Sequence, residues 1–272
     1  MNGVVMPAIG FGVYQIPKED TKRCVLDALE VGYRSIDTAA AYFNERQVSE
    51  AIRESSLPRE STELWVQDYE YDDALQAVEK SLSELSLDYV DLVLLHKPYG
   101  NYYAAWRALE RFYKEGRIRA IGVTSFSDER LQDLFLHNEV KPAVNQIETH
   151  PFRQQQKSNE FLKAEGIVHE TWSPFAEGQK GIFTNPVLVR IAQAHGKSVA
   201  AVILRWLNQR GVVVIPKSVR QDSMEENLAI LDFTLIPEEM AAIATLNEEQ
   251  SPIYDENDLA TARGIGLYRI HD

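Results

Sequence analysis

A chain of 272 residues with 44% hydrophobic and 25% charged residues can build one large soluble core, and a single α/β barrel of roughly 250 residues would use most of it. Its formal net charge of −13 argues against a nucleic-acid partner or an anionic membrane surface, both of which need clustered Lys and Arg. No apolar run approaches the roughly 20 residues that span a bilayer, and Met1–Pro7 has neither the basic region nor the apolar core of a signal peptide. The single cysteine, Cys24, excludes an internal disulfide; it reads as a buried small hydrophobe and leaves a reducing, cytoplasmic setting as the default.

Short β-branched runs predict strands near Ala8–Val13, Tyr33–Asp37, Glu63–Gln67, Val90–His96, Ile118–Val123, Ala143–Glu148, Ile167–Trp172 and Val212–Pro216. From the second to the seventh the starts recur about every 25 to 30 residues, the length of one strand-helix unit of an eightfold barrel. Between them lie helix-period stripes. Ala74, Ala77, Val78, Ser81, Leu82 and Leu85 form one; Trp106, Leu109 and Tyr113 another; Leu131, Leu134 and Phe135 a third. Strands alternating with helices predict a parallel sheet, and eight such units predict its closure into a (β/α)8 TIM barrel. No linker or composition shift divides the chain, so residues 1–272 are expected to form one domain.

Two places break the rhythm. The third strand offers only Leu64, Trp65 and Val66 as consecutive apolar residues and is expected to be irregular or short. The stretch between Trp172 and Val212 is too long for one unit. It holds a loop with Pro174, Gly178 and Gly181, then helical segments at Pro186–Ala194 and Val199–Gln209, and the loop is a candidate strap over a ligand.

The second strand carries the most chemistry. Ser35–Asp37 ends in an acid, Thr38–Ala41 forms a small-residue loop, and Tyr42 follows at the start of a new helix. In a barrel this puts a carboxylate and a phenol at the strand ends where chemistry is done. His137, His169, His195 and His271 lack metal-ligand spacing and read as surface or hydrogen-bonded histidines. Asp88 and Asp91 flank a strand start, the barrel end associated with stability. Gly10-Phe11-Gly12 lacks the third glycine and the helix of a dinucleotide-binding turn.

From about Val4 to Ser251 the chain resembles the aldo-keto reductases, especially the bacterial branch that includes diketogluconate reductases. The resemblance is carried by Ile36-Asp37-Thr38-Ala39 with Tyr42 and Asn44-Glu45, Leu87–Leu92 leading to His96 and Pro98, Gly116–Val123, Asn145–Glu148, Trp172-Ser173-Pro174 and Ile215–Ser218. It implies hydride transfer between NADPH and a small aldehyde, ketone or keto-sugar, in a monomer. Tyr42 would then be the proton donor, His96 would orient the substrate oxygen, and Asp37 would support the tyrosine. The same resemblance assigns Thr124, Ser125 and Gln146 to the nicotinamide amide, Trp172 to stacking on its ring, and Glu226 and Asn227 to the adenine. Lys217, Ser218 and Arg220 precede a helix near Gln221, an anion site suited to a 2'-phosphate and hence to NADP over NAD. Val13, Tyr14 and Trp106 are expected to shape the substrate pocket, and His150-Pro151 to line the mouth without an evident partner.

The chain departs from the resemblance at one charged position. The family carries a lysine at the end of strand three that lowers the tyrosine pKa, normally about 10. Aligned on Leu64-Trp65, Glu63 takes its place; an alternative alignment makes Glu63–Asp68 the strand, again without a lysine. A unit charge at about 4 Å acts by up to about 4 kcal/mol at an effective dielectric of 20, so the reversal opposes ionisation of the phenol. Lys97, which follows His96 directly, is a candidate replacement. Alternation on a strand points it away from His96 unless the strand ends there. Ser125 in place of the family's Asn, and Ser223 in place of an adenine-packing Arg, weaken the cofactor contacts. These departures leave a second expectation, a degenerate barrel that binds nucleotide or nothing and reduces no carbonyl. The chain also begins inside the family's N-terminal hairpin, and its tail, Asp255–Asp272, departs from the usual ending.

Overall fold

The computed structural model describes residues 3–55, 57, 61–66, 69–253, 259–260 and 263–264, with 61–66 as backbone alone. Eight strands are β1 Phe11–Gly12, β2 Ser35–Ala39, β3 Ser61–Val66, β4 Val90–His96, β5 Ile118–Thr124, β6 Val144–Glu148, β7 Val168–Trp172 and β8 Val213–Val214. All neighbours pair in parallel, in sequence order. A parallel bridge between Ile9 and Val214, with Gly10 N–H donating to the Val214 carbonyl at 2.8 Å, closes the ring. The expected (β/α)8 barrel is thus formed.

Strand ends moved for local reasons. Tyr33 is drawn out of β2 because its N–H, with that of Gly32, returns to the Ala28 carbonyl and closes the preceding helix; Gly32 takes φ 122°, open to a residue without a Cβ. The last strand stops at Val214, two residues before Pro216, which has no N–H for a ladder. β3 is no remnant. Its six-residue backbone pairs with β2 at five positions and with β4 at four, matching Asp37 with Glu63 and Glu63 with Leu92. Backbone ladders do not depend on the apolar content that made this strand poor in sequence. The side chains of β3, with Gln67, Asp68 and most of the tail, lie outside the described residues.

Inward and outward faces follow the period of two. Along β4, Leu92 and Leu94 pack inside the barrel with Ala120 and Val144, while Val93 and Leu95 pack outward in the larger core under the helices. Gly122, on β5, lies where the walls approach: a Cβ there would stand 2.7 Å from both Leu94 Cδ2 and the Val144 carbonyl. Above this apolar plug the inward positions become polar, and the candidate site begins.

The helices that cover the barrel are α1 Lys18–Val31, α2 Glu45–Glu54, α3 Tyr71–Leu85, α4 Tyr102–Lys114, α5 Asp128–Leu136, α6 Gln156–Glu165, α7 Pro186–His195, α8 Val199–Gln209, α9 Gln221–Leu228 and α10 Pro237–Ala244. The α3 stripe is buried throughout, each large apolar side chain contributing about 1.5–3 kcal/mol. α7 starts where Asn185 Oδ1 accepts from Val187 and Leu188 N–H and Pro186 occupies the first turn, where its missing N–H costs nothing. Cys24 is buried in α1. Among the described residues no single helix is long and apolar enough to cross a membrane.

Candidate active site at the strand ends

Asp37 is the inward residue of β2, 2% exposed, and its backbone carbonyl accepts from Val13 N–H at 3.1 Å. The chain then makes one 3-10 turn, Ala40–Tyr42, and leaves it through Phe43 in the left-handed region at φ 56°. Asn44 fixes this corner: its Nδ2 donates to the Val13 carbonyl at 3.4 Å and to Thr21 Oγ1 at 3.3 Å. The small residues Thr38–Ala41 allow the tight corner, and Asn44 anchors it to β1 and α1. Tyr42 is thereby held half-buried at the rim, its hydroxyl closed off from solvent and its ring 5.0 Å from that of Tyr14.

His96 ends β4 at the same rim. The Tyr69 hydroxyl donates to its carbonyl. Burial, and then the neighbouring charge of Lys97, push the imidazole pKa down to about 3, so His96 is neutral at physiological pH and keeps one N–H to donate. Strand alternation would send Lys97 outward, but β4 ends at His96 and Lys97 takes φ 69°. The left-handed residue turns the side chain into the mouth. Lys97 is 7% exposed; its Nζ donates to Ser125 Oγ at 3.3 Å and lies 5.6 Å from the centre of the Trp172 ring. A cation therefore stands among the residues assigned to the nicotinamide, delivered from β4.

Those residues converge. One register row runs His96, Thr124, Gln146, Glu170 across β4 to β7. Ser125 follows β5 in a left-handed conformation and its N–H donates to the Gln146 carbonyl at 2.9 Å. Gln146 is fully buried, and Trp172 ends β7 half-buried beside Lys97. Glu170 is the residue that sequence reading missed. It lies two before Trp172 on one strand, so the period of two already placed both on the inner face.

The β8 end is open. Lys217 and Arg220 are exposed, and Ser218 Oγ accepts from Arg220 N–H at 3.1 Å as the chain enters α9. Arg220 donates to Ser223 Oγ at 2.6 Å and faces Asp222 at 3.6 Å, an acid that the sequence reading did not weigh. Two exposed cations, a hydroxyl and a helix N-terminus fit a phosphate, and a half-exposed indole fits a flat ring, so the residues present suit a nicotinamide dinucleotide phosphate. Of the adenine pair, Asn227 is buried in α9 and Glu226 accepts from Ser198 N–H at 3.2 Å, at the start of α8. The loop expected as a strap, Ala176–Thr184, is a kinked 3-10 segment, and Lys180 on it pairs with Glu248.

Two expectations change. Trp106 does not shape the pocket; it is fully buried on α4 and donates to the Val140 carbonyl at 3.2 Å, before the start of β6 and so at the opposite barrel end. His150 does have a partner: Glu148 Oε1 at 2.9 Å, whose carboxylate also meets Arg153 at 2.7 Å and Ser251 at 2.9 Å. Burial alone would raise the Glu148 pKa, but His150, Ser251 and Arg153 outweigh it and hold the carboxyl below its usual range. This cluster ties the segment after α10 to β6. His169 is buried between Thr149 and Asn159, and His195 lies 2.9 Å from Glu239. Among the described residues no group of three His, Cys, Asp or Glu could hold a metal ion.

A closed parallel barrel with its polar side chains gathered at the carboxyl ends of the strands, and a cationic loop after β8, defines a barrel with its site at the mouth and an anion-binding loop beside it, with no glycine-rich dinucleotide turn among the described residues. The chain belongs to the Aldo/keto reductase family, whose sequence profile matches residues 8–248. It is 46% identical over 255 residues to glyoxal reductase of Bacillus subtilis, covering 92% of each chain. An aldo-keto reductase from a Medee basin deep-sea metagenome library superimposes with a TM-score of 0.92 at 36% identity, over 95% of this chain and 97% of that one. A Bombyx mori aldo-keto reductase solved with NADP superimposes with a TM-score of 0.87 at 28% identity, over 94% and 93%. The protein is an NADP-dependent oxidoreductase of this family.

Proposed function

We propose that the chain reduces a small aldehyde, ketone or keto-sugar with NADPH, using Tyr42 as proton donor, His96 as the orienting donor and Asp37 as support behind the tyrosine. NADPH, when bound, supplies the hydride. The observation that carries the reading is the common rim: Tyr42, with its hydroxyl shielded, and a neutral His96 both stand at the strand ends beside Thr124, Ser125, Gln146 and Trp172. As hydride reaches carbon the carbonyl oxygen gains negative charge; a phenol can give it a proton and a neutral imidazole can hold it by an N–H. Lys217, Ser218 and Arg220 would hold the 2'-phosphate, with Glu226 and Asn227 near the adenine. The name of the Bacillus subtilis relative, glyoxal reductase, supports a small dicarbonyl as the first substrate to try.

The register of Asp37 with Glu63 supports the alignment that sets Glu63 at the family's lysine position, and with it a lowered activity. It also favours the second reading, a barrel that binds nucleotide or nothing and reduces no carbonyl. NADPH binding followed by fluorescence, and NADPH oxidation followed by absorbance against a panel of aldehydes and dicarbonyls, separate the two. Turnover supports the reductase, tight binding without turnover overturns it in favour of the nucleotide-binding barrel, and undetectable binding overturns both of these and leaves the barrel that binds nothing. In the reductase reading, with Glu63 at the family's lysine position, Glu63→Lys raises turnover by at least about tenfold, since a unit charge about 4 Å from a phenol acts by up to about 4 kcal/mol. Unchanged turnover would remove Glu63 from the site. We further propose a single-domain, monomeric, cytoplasmic enzyme without nucleic-acid or membrane partners, in keeping with the net charge of −13 and the lone buried Cys24.

A further inference from the structure

Gln146 lies wholly inside the barrel, and its amide nitrogen faces two acids. Nε2 donates to Asp37 Oδ2 at 3.2 Å and to Glu170 Oε2 at 2.9 Å, and all three side chains are at most 2% exposed. Asp37 arrives from β2 across the barrel; Glu170 arrives from β7 at the register position beside Gln146. An amide has a donor end and an acceptor end, whereas an ionised carboxylate only accepts. If the amide were reversed, its oxygen would face carboxyl oxygens in a buried setting, and the contact with an ionised acid would become repulsive. The acids therefore decide the orientation: Nε2 toward them, Oε1 away from both.

We propose that Glu170 is a positioning residue for the cofactor: it locks the Gln146 amide so that Oε1 accepts a hydrogen bond from the NH2 of the nicotinamide carboxamide. The inference rests on the assignment of Gln146 to that carboxamide. Glu170 makes the shorter of the two contacts, and it comes from the adjacent strand, where register holds it at the level of Gln146. Asp37 shares the same nitrogen, so the acid behind Tyr42 and the amide that reads the cofactor are mechanically one unit. Without Glu170, the Asp37 contact that remains on this nitrogen is the longer one and comes from across the barrel.

The test compares two oxidised cofactors that differ in this one donor: NADP and its acetylpyridine analogue, whose acetyl group keeps the carbonyl but lacks the NH2. Affinities are measured on the full chain by tryptophan quenching. The wild type is expected to prefer NADP by about tenfold, and Gln146→Leu to abolish the preference. Glu170→Gln is similar in size but can present either end of its own amide to Gln146. It is expected to cut the preference below about threefold, by weakening NADP while leaving the analogue unchanged. A merely structural role would weaken both cofactors alike, and that result overturns the proposal, as does a preference retained in Glu170→Gln. If the wild type shows no preference and Gln146→Leu binds both cofactors as the wild type does, the assignment of Gln146 fails and takes the proposal with it. Should Glu170→Gln not fold, Glu170→Asp withdraws the acceptor by one methylene and is judged by the same criterion.

Discussion

The two ends of the site use similar groups in opposite settings. At the floor, Asp37, Gln146 and Glu170 are sealed inside the barrel, each supplied by a strand and held by its neighbours. At the rim after β8, Lys217 and Arg220 lie in water, and Arg220 faces Asp222 with both side chains over 70% exposed. In the first region low dielectric makes orientation expensive to change; in the second, solvent screens every charge and geometry is loosely held. The inner end is therefore suited to fixing hydrogen-bond direction and proton position. The outer end supplies attraction that salt weakens. Substitutions inside should change chemistry and specificity by large factors, and substitutions outside should change affinity by small ones.

The strongest way to break this contrast is at the proton donor. Tyr42→Phe removes one oxygen from the shielded rim and leaves the outer cation site untouched. Turnover is expected to fall by about 10²–10⁴, the usual worth of a positioned acid, while NADPH affinity stays within about twofold. A turnover loss of less than about tenfold would mean that another group gives the proton.

Acid pH tests two histidines outside the barrel floor, His96 at the end of β4 and His169 on β7 against α6. His96 and His169 both have pKa values near 3, in each case mainly through burial and secondarily through a nearby cation, Lys97 and Arg210 respectively. Their folded values lie below the unfolded value of about 6.5, so the unfolded chain binds these protons first. Stability is complete above about pH 6.5 and falls as the pH drops toward 3, by several kcal/mol for the pair. Glu148, held below the usual carboxylate range, adds a loss at the lower end of that window. Urea unfolding at neutral pH and near pH 4.5 should show the midpoint falling. His169→Gln should lower stability at neutral pH and flatten the slope; an unaltered slope would count against His169 as a source.

Lys97→Met probes the boundary between the two settings. The ammonium is buried but belongs to the mouth, and its charge disfavours the His96 imidazolium. Its removal should raise the His96 pKa, read by NMR titration, yet leave it below the ordinary range because burial is the larger cause. An unmoved His96 would show that the two groups are not electrostatically coupled.

Periodicity carried most of the fold. Val90–His96 and Val199–Gln209 stand where their β-branched and apolar spacing put them, because one face of each must be buried whatever its neighbours do. The placement of Asp37 and His96 toward the strand ends was legible from the strand pattern, while the roles proposed for them came from the resemblance. The site was not legible where one backbone angle decides. Lys97 alternates outward on an ideal strand, and only its left-handed φ turns it inward. Glu170 was readable in principle from its spacing to Trp172, but its role needs Asp37, brought across the barrel by closure, to face the same amide. The partner of His150, Glu148, stands two residues before it and was readable from that spacing, whereas the return of Ser251 onto the same carboxylate is encoded by no local pattern.

The smallest expected effect lies at the outer rim, where it measures how far screening goes. Asp222 is in the first turn of α9 and stands 3.6 Å from Arg220 Nε, so it competes with a phosphate for the guanidinium. Its carboxylate also accepts from Ser223 N–H at 2.7 Å, an interaction the amide oxygen of asparagine can keep. Asp222→Asn therefore removes charge with little change in shape. Because both partners are exposed, the pair is worth well under about 1 kcal/mol, and NADPH binding should tighten by about two- to threefold at low salt. NADH, which lacks the 2'-phosphate, should respond less, and the gain for NADPH should shrink as ionic strength shortens the screening length. An equal gain for both cofactors would mean that Asp222 acts on the helix N-terminus rather than on the phosphate. A gain of tenfold or more would show that the outer site is as well sheltered as the inner one, and the contrast between them would fail.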